Sequence, residues 1–105
     1  TTIKRIIEEN RFYECAQDLD IDCALSTMSN SIRRNIMYLL RDHRTLRFME
    51  ITRKLNIEDH TKVNFHLNNL KESGFIESDE LKMYSLTDQG KSILNCLNMI
   101  ESNLK

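Results

Sequence analysis

The residues best equipped for recognition chemistry sit in one segment, Asp59 to Gly74, which reads DHTKVNFHLNNLKESG. Val63, Leu67 and Leu70 recur at the spacing that places side chains on one face of a helix. Thr61, Lys62, Asn64, Phe65, Asn68 and Lys71 must then project elsewhere. An Asn offers the donor–acceptor pair that matches the edge of adenine, a Lys pairs with guanine or with phosphate, and an aromatic ring can lie against a thymine methyl. His66, beside the apolar stripe, reads as a hydrogen-bonded structural histidine. Arg33, Arg34, Arg44, Arg47, Arg53 and Lys54 add positive charge upstream, and Lys82 adds one cation downstream.

Charge distribution points the same way. The net charge is −1, but Thr1 to Thr27 holds six acids against three bases, and Glu72 to Lys105 holds the same. Met28 to Lys71 holds nine bases against four acids. A local excess of +5 attracts phosphates even on a slightly acidic chain. Opposing it are Glu58 and Asp59 at the start of the candidate helix, and Asp79 and Glu80 near Lys82.

Other chemistries find little support. No nucleophile elbow, glycine-rich phosphate loop or paired-carboxylate motif is present, so the sequence reads as a binding protein, not an enzyme, with no cofactor. It holds no C-x-x-C or H-E-x-x-H pattern, so no metal is expected. Cys15, Cys23 and Cys96 are too few for a disulfide framework. They read as small buried hydrophobes in a reduced, cytoplasmic protein. The alternative is a cysteine-based metal or redox response, with Cys15 and Cys23 on one helical face or near Cys96 across a dimer interface. No run of 18 apolar residues suggests a membrane span, and the N-terminus lacks the blocks of a secretory signal. The first residue is Thr, as expected of a processed or trimmed chain.

The elements that position these residues follow from periodicity. Among 105 residues there is no proline, and the only glycines are Gly74 and Gly90, both read as structural stops. The chain is therefore expected to be mainly α with a small β-hairpin. Ile3, Ile6, Ile7, Phe12, Ala16 and Leu19 suggest one or two helices before Met28. Ser29, Asn30 and Ser31 suit an N-cap for a helix ending near His43, with Ile32, Ile36, Leu39 and Leu40 inward. Thr45 to Arg47 reads as a short extended connector. A helix from Phe48 to Leu55 follows, with Phe48, Ile51 and Leu55 inward and Asn56 at the turn. Asp59 or His60 caps the candidate recognition helix, and Gly74 stops it. Two β-prone runs around Asp79–Lys82 form a hairpin. Thr87 caps a last helix through Leu104, whose Ile93, Leu94, Leu97, Ile100 and Leu104 form a seam for pairing.

This order, carried by SNSIRRNIMYLL, LRFMEITRKLNI, TKVNFHLNNLKESGFI and YSLTDQG, resembles the winged helix-turn-helix regulators of ArsR-like type. The form VNFHLNNL is similar to an archaeal subset. The resemblance covers about two thirds of the chain, Ser29 to Leu94. It implies three parts: a helical extension over 1–28, a winged helix over 29–94, and the end of a dimerisation helix over 95–105. It further implies a homodimeric, sequence-specific regulator of transcription that binds double-stranded DNA. The third helix would enter the major groove and the hairpin would touch flanking backbone or minor groove. DNA contacts would come from Thr61, Lys62, Asn64, Phe65, Asn68, Lys71, Arg33, Arg34, Arg47 and Lys82. Ile93, Leu97, Ile100 and Leu104, with Ile3 and Ile7, would form the dimer interface. Phe65 in a position often basic in relatives, and the acidic hairpin tip, favour a second reading. In that reading the domain is a protein-interaction module of a transcription assembly.

Overall fold

The computed structural model describes residues 21–104. Its elements are α1 (Ile21–Met28), α2 (Ser31–His43), β1 (Thr45–Arg47), α3 (Phe48–Leu55), α4 (His60–Glu72), β2 (Ile76–Ser78), β3 (Met83–Leu86) and α5 (Asp88–Leu104). The expected helices at residues 3–19 lie outside the described residues, as do Ile3, Ile7 and Cys15.

Local chemistry sets most boundaries. The Asn30 side chain accepts a hydrogen bond from the Arg33 amide at 3.1 Å and so caps α2. Asp59 caps α4 in the same way through the Lys62 amide, at 3.2 Å. Asn56, at φ 58° and ψ 41°, ends α3 in the left-handed conformation that Asn tolerates. Gly74, at φ +83°, ends α4. Its amide donates to Lys71 O and the Phe75 amide to Leu70 O, the paired bonds of a Schellman motif. Thr87 caps α5 by accepting from the Gly90 amide at 3.0 Å. The same hydroxyl donates to Gly74 O at 2.6 Å and joins the end of α4 to the start of α5.

The core differs from the expected stripes in detail. Ile36, Met37 and Leu40 are buried on α2, whereas Ile32 and Leu39 are half-buried. Helix α2 packs against α1, α3, α4, α5 and β3 at once, so its covered arc is wider than a single stripe and takes in Met37. On α3, Ile51 and Thr52 are buried while Phe48 and Leu55 rest half-buried at the edge. The Thr52 hydroxyl satisfies itself on Phe48 O at 2.8 Å. Val63, Leu67 and Leu70 are fully buried, as their spacing predicts.

Thr45 to Arg47 is more than a connector. It pairs with β3 antiparallel, Leu46 opposite Tyr84, and gives a three-stranded sheet of order β1-β3-β2. The hairpin forms where expected, with Glu77 opposite Ser85. Helix–turn–helix plus sheet is a winged helix: α3 and α4 are the helix pair, and the β2–β3 hairpin is the wing. No helix among the described residues is long and apolar enough to cross a membrane.

Candidate nucleic-acid interface

Helix α4 buries Val63, His66, Leu67 and Leu70 and leaves Thr61, Lys62, Asn64, Phe65, Asn68 and Lys71 exposed. All six candidate residues of this helix therefore stand on its solvent side. Phe65 is 61% exposed, unusual for an aromatic ring, and meets His66 edge-on at 5.3 Å. Lys71 donates to Ser78 Oγ at 3.1 Å and links α4 to the turn end of β2 in the wing.

A groove runs between the start of α3, the first turns of α4 and the wing. Arg47, Met49, Asn64, Leu81, Lys82 and Tyr84 line it. It brings three of the candidates, Arg47, Asn64 and Lys82, to one place. Arg47 is anchored there by its amide, which donates to Glu50 Oε1 at 2.8 Å, and by Nε, which reaches Met83 Sδ at 3.3 Å. Met49 and Leu81, which the sequence did not single out, are more than half exposed at this groove. The available signal was position alone, since Met49 lies off the inward stripe of α3 and Leu81 sits in a polar turn.

One carboxylate of the acidic wing tip is bound by the backbone of its own turn. Asp79 Oδ1 accepts from the Leu81 amide at 2.9 Å and the Met83 amide at 3.0 Å. These bonds stiffen the turn. Lys82 follows at φ 62°.

Arg33 and Arg34 are placed differently. Both are half-buried, and their guanidinium groups turn toward the end of α1. Arg33 Nε donates to Thr27 O at 2.8 Å, and Arg34 Nη1 donates to Met28 O at 2.6 Å. They satisfy carbonyls that the end of α1 leaves unpaired. Arg33 Nη1 also lies 3.2 Å from His66 Nδ1. A guanidinium only donates, so Nδ1 accepts and the proton of the neutral ring sits on Nε2. His66 is therefore the hydrogen-bonded structural histidine its position predicts.

Burial, then the Arg33 guanidinium, then the Lys62 ammonium hold the His66 pKa below its ordinary value. The folded state thus resists protonation more than the unfolded chain does. That part of the stability is present above about pH 6.5, the unfolded value, and is lost as pH falls through the lower folded value. Denaturant titrations at about pH 7 and pH 5 should show this loss in the wild type and a smaller one in His66→Asn, which keeps an acceptor for Arg33. Equal losses in both proteins would rule out His66 as the source.

The two described cysteines, Cys23 and Cys96, do not match their expected burial. Cys96 is free and exposed on α5, and Cys23, half-buried on α1, is disulfide-bonded rather than reduced. Helix α5 turns Leu94 to the core, so a residue two positions on faces solvent. No group of His, Cys, Asp and Glu among the described residues is arranged to hold a metal ion. The last helix also splits its seam. Ile93 and Leu97 pack against the chain's own core, whereas Ile100 and Leu104 are 49% and 81% exposed, joined by exposed Met99.

A family model described as a domain of unknown function (DUF7347) matches residues 21–97. The chain belongs to this DUF7347 family. The match spans every element from α1 into α5, so α1 is part of the domain the family shares. Among solved structures, the quinone-bound YodB from B. subtilis aligns with a TM-score of 0.70 and 22% identity, over 78% of this chain and 90% of that one. The reduced form of the transcriptional regulator YodB from B. subtilis aligns at 0.69 and 21%, over 77% and 84%. At these identities the likeness establishes the winged-helix fold of this DUF7347 member. No curated protein matches the chain.

Proposed function

We propose that the protein is a DNA-binding transcription regulator that acts as a homodimer in the cytoplasm and performs no catalysis. The observation that carries this reading is the solvent face of α4, where Thr61, Lys62, Asn64 and Asn68 stand free of the core beside the groove holding Arg47 and Lys82. Phosphate contacts by the cations supply affinity, and Asn64 and Asn68 read bases. The likeness to a solved transcriptional regulator supports the regulator reading, and the VNFHLNNL segment alone supports an ArsR-like kinship of archaeal type. Dimerisation is supported by two apolar faces: Ile21 and Leu25 on α1, and Met99, Ile100 and Leu104 on α5. Both helices pack on α2.

Binding to duplex DNA, including the promoter of the protein's own gene, tests the reading as salt is raised. Neutralising several phosphates makes log K fall with log[salt] by about 0.9 per phosphate, so affinity should drop steeply. No binding to any duplex at low salt overturns it. Sedimentation should give twice the 12.5 kDa chain mass, and a monomer at all concentrations would remove the dimer.

A cysteine response is the second reading. It is favoured by the disulfide at Cys23 and the exposed thiol of Cys96, and the solved YodB structures are a quinone-bound and a reduced form. Replacing Cys15, Cys23 and Cys96 by Ser should then abolish any effect of oxidants on DNA affinity. An oxidant effect that survives excludes it.

A further inference from the structure

Arg33 stands in the first turn of α2, yet its side chain serves two other helices. Nε and Nη2 donate to Thr27 O at 2.8 Å and Ser26 O at 3.3 Å, in the last turn of α1. Nη1 donates to His66 Nδ1 at 3.2 Å, in the middle of α4. A second bond joins the same two helices, because the Thr27 and Ser73 hydroxyls meet at 3.1 Å in a buried setting at the end of α4. Helix α4 is thus tied to α1 at its middle and at its C-terminus. His66 lies next to Phe65 in sequence and one turn beyond Lys62. Whatever fixes its ring also fixes the rotation of the face carrying Lys62, Asn64 and Asn68.

We infer that Arg33 is a positioning residue for the recognition helix, holding α4 against α1 through His66, and not a ligand of DNA phosphate. The inference rests on the DNA-binding reading above. Three donors of one planar group are engaged at once, and the group is half-buried. A guanidinium spans such a set of acceptors, whereas the point charge of a Lys does not. Cutting the guanidinium away leaves the His66 acceptor and the Thr27 carbonyl without their donor, which costs far more than losing one solvated charge, whereas Ser26 O keeps its bonds from Ser29. As a consequence α1 becomes the element through which displacement outside the helix-turn-helix reaches the DNA-reading face.

The test uses the full chain and a duplex that the wild type selects from a random pool. Affinity is measured across a salt series for Arg33→Ala, His66→Ala, His66→Asn and the Arg33→Ala/His66→Ala double variant. Arg33→Ala should bind about tenfold more weakly, the effect of losing hydrogen bonds to a charged group, with its salt slope unchanged. His66→Ala should show the same loss, and the double variant no further loss, because both remove one link. His66→Asn, which keeps the acceptor, should retain most of the affinity. A slope shallower by about 0.9 in Arg33→Ala marks a lost phosphate contact and overturns the inference. Additive losses in the double variant overturn it too. If Arg33→Ala fails to fold, the His66 pair decides, since wild-type affinity in His66→Ala overturns the claim. A wild type that selects no duplex removes the DNA reading and this inference together, whereas binding with a flattened Arg33→Ala slope removes the inference alone.

Discussion

Gly90→Ala is expected to destabilise the fold by about 3 kcal/mol or more, although the same change in an exposed helix stabilises by up to about 1 kcal/mol. Gly90 is buried in the first turn of α5. A Cβ there would stand 2.1 Å from Phe75 O, a contact that real Cβ atoms do not make, and a tight 3.1 Å from Phe75 C. The obstacle is backbone, so no rotamer change relieves it. That carbonyl also accepts the Thr87 amide at 3.0 Å, and pushing it away breaks the bond that begins α5. Overpacking alone costs about 1–3 kcal/mol and a lost buried hydrogen bond adds about 1. For a domain of this size each kcal/mol lowers the melting temperature by about 4–8 °C, so a fall of more than about 12 °C is expected in a calorimetric scan. A melting temperature equal to or above that of the wild type would refute the close-approach account. Gly74→Ala is the useful contrast. Its positive φ strains an Ala, but the nearest obstacle is Gln89 Oε1 at 2.9 Å, the end of a flexible side chain. Its loss should be smaller, about 1 kcal/mol.

The second large effect is on binding. The double variant Lys62→Ala/Asn64→Ala is expected to lose duplex affinity by at least about a hundredfold, with the melting temperature unchanged. Under the proposed DNA reading, Asn64 supplies a base contact whose loss costs about 1–3 kcal/mol, and Lys62 a phosphate or guanine contact of similar size. Both side chains are exposed, so truncating them opens no cavity. The salt slope should become shallower by about 0.9 if Lys62 meets phosphate. The competing interpretation takes the same face as a protein-docking surface in a transcription assembly. The exposure of Phe65, Met49 and Leu81 favours it. Under it the double variant leaves partner binding largely intact, and duplex binding is weak in both proteins. Electrophoretic or fluorescence titration of the two proteins against one duplex separates the outcomes.

What was legible in the sequence was local. Asn30, Asn56, Asp59, Gly74 and Thr87 cap or end helices through bonds that reach only a few residues along the chain, apart from the longer bonds from Thr87 to Gly74 and Phe75. Their residue types therefore carry the signal by themselves. The stripe Val63, Leu67 and Leu70 likewise marks its own buried face, and with it the exposed set on α4. Helix order, turn positions and the candidate reading face follow from these features.

Tertiary structure decided whatever depends on a neighbour distant in the chain. Thr45 to Arg47 becomes a strand because Met83 to Ser85 lies beside it. Gly90 is required by close approach to Phe75, with no need for unusual backbone freedom. Ile93 and Leu97 turn to the chain's own core and leave Ile100 and Leu104 outside it. Arg33, which its charge marks for phosphate, is instead held by Thr27 and by His66, 33 residues away. A residue's type states which bonds it is able to make, and periodicity states which face it occupies. Which acceptor it meets is set by the packing of whole elements, and no local pattern in these 105 residues encodes that.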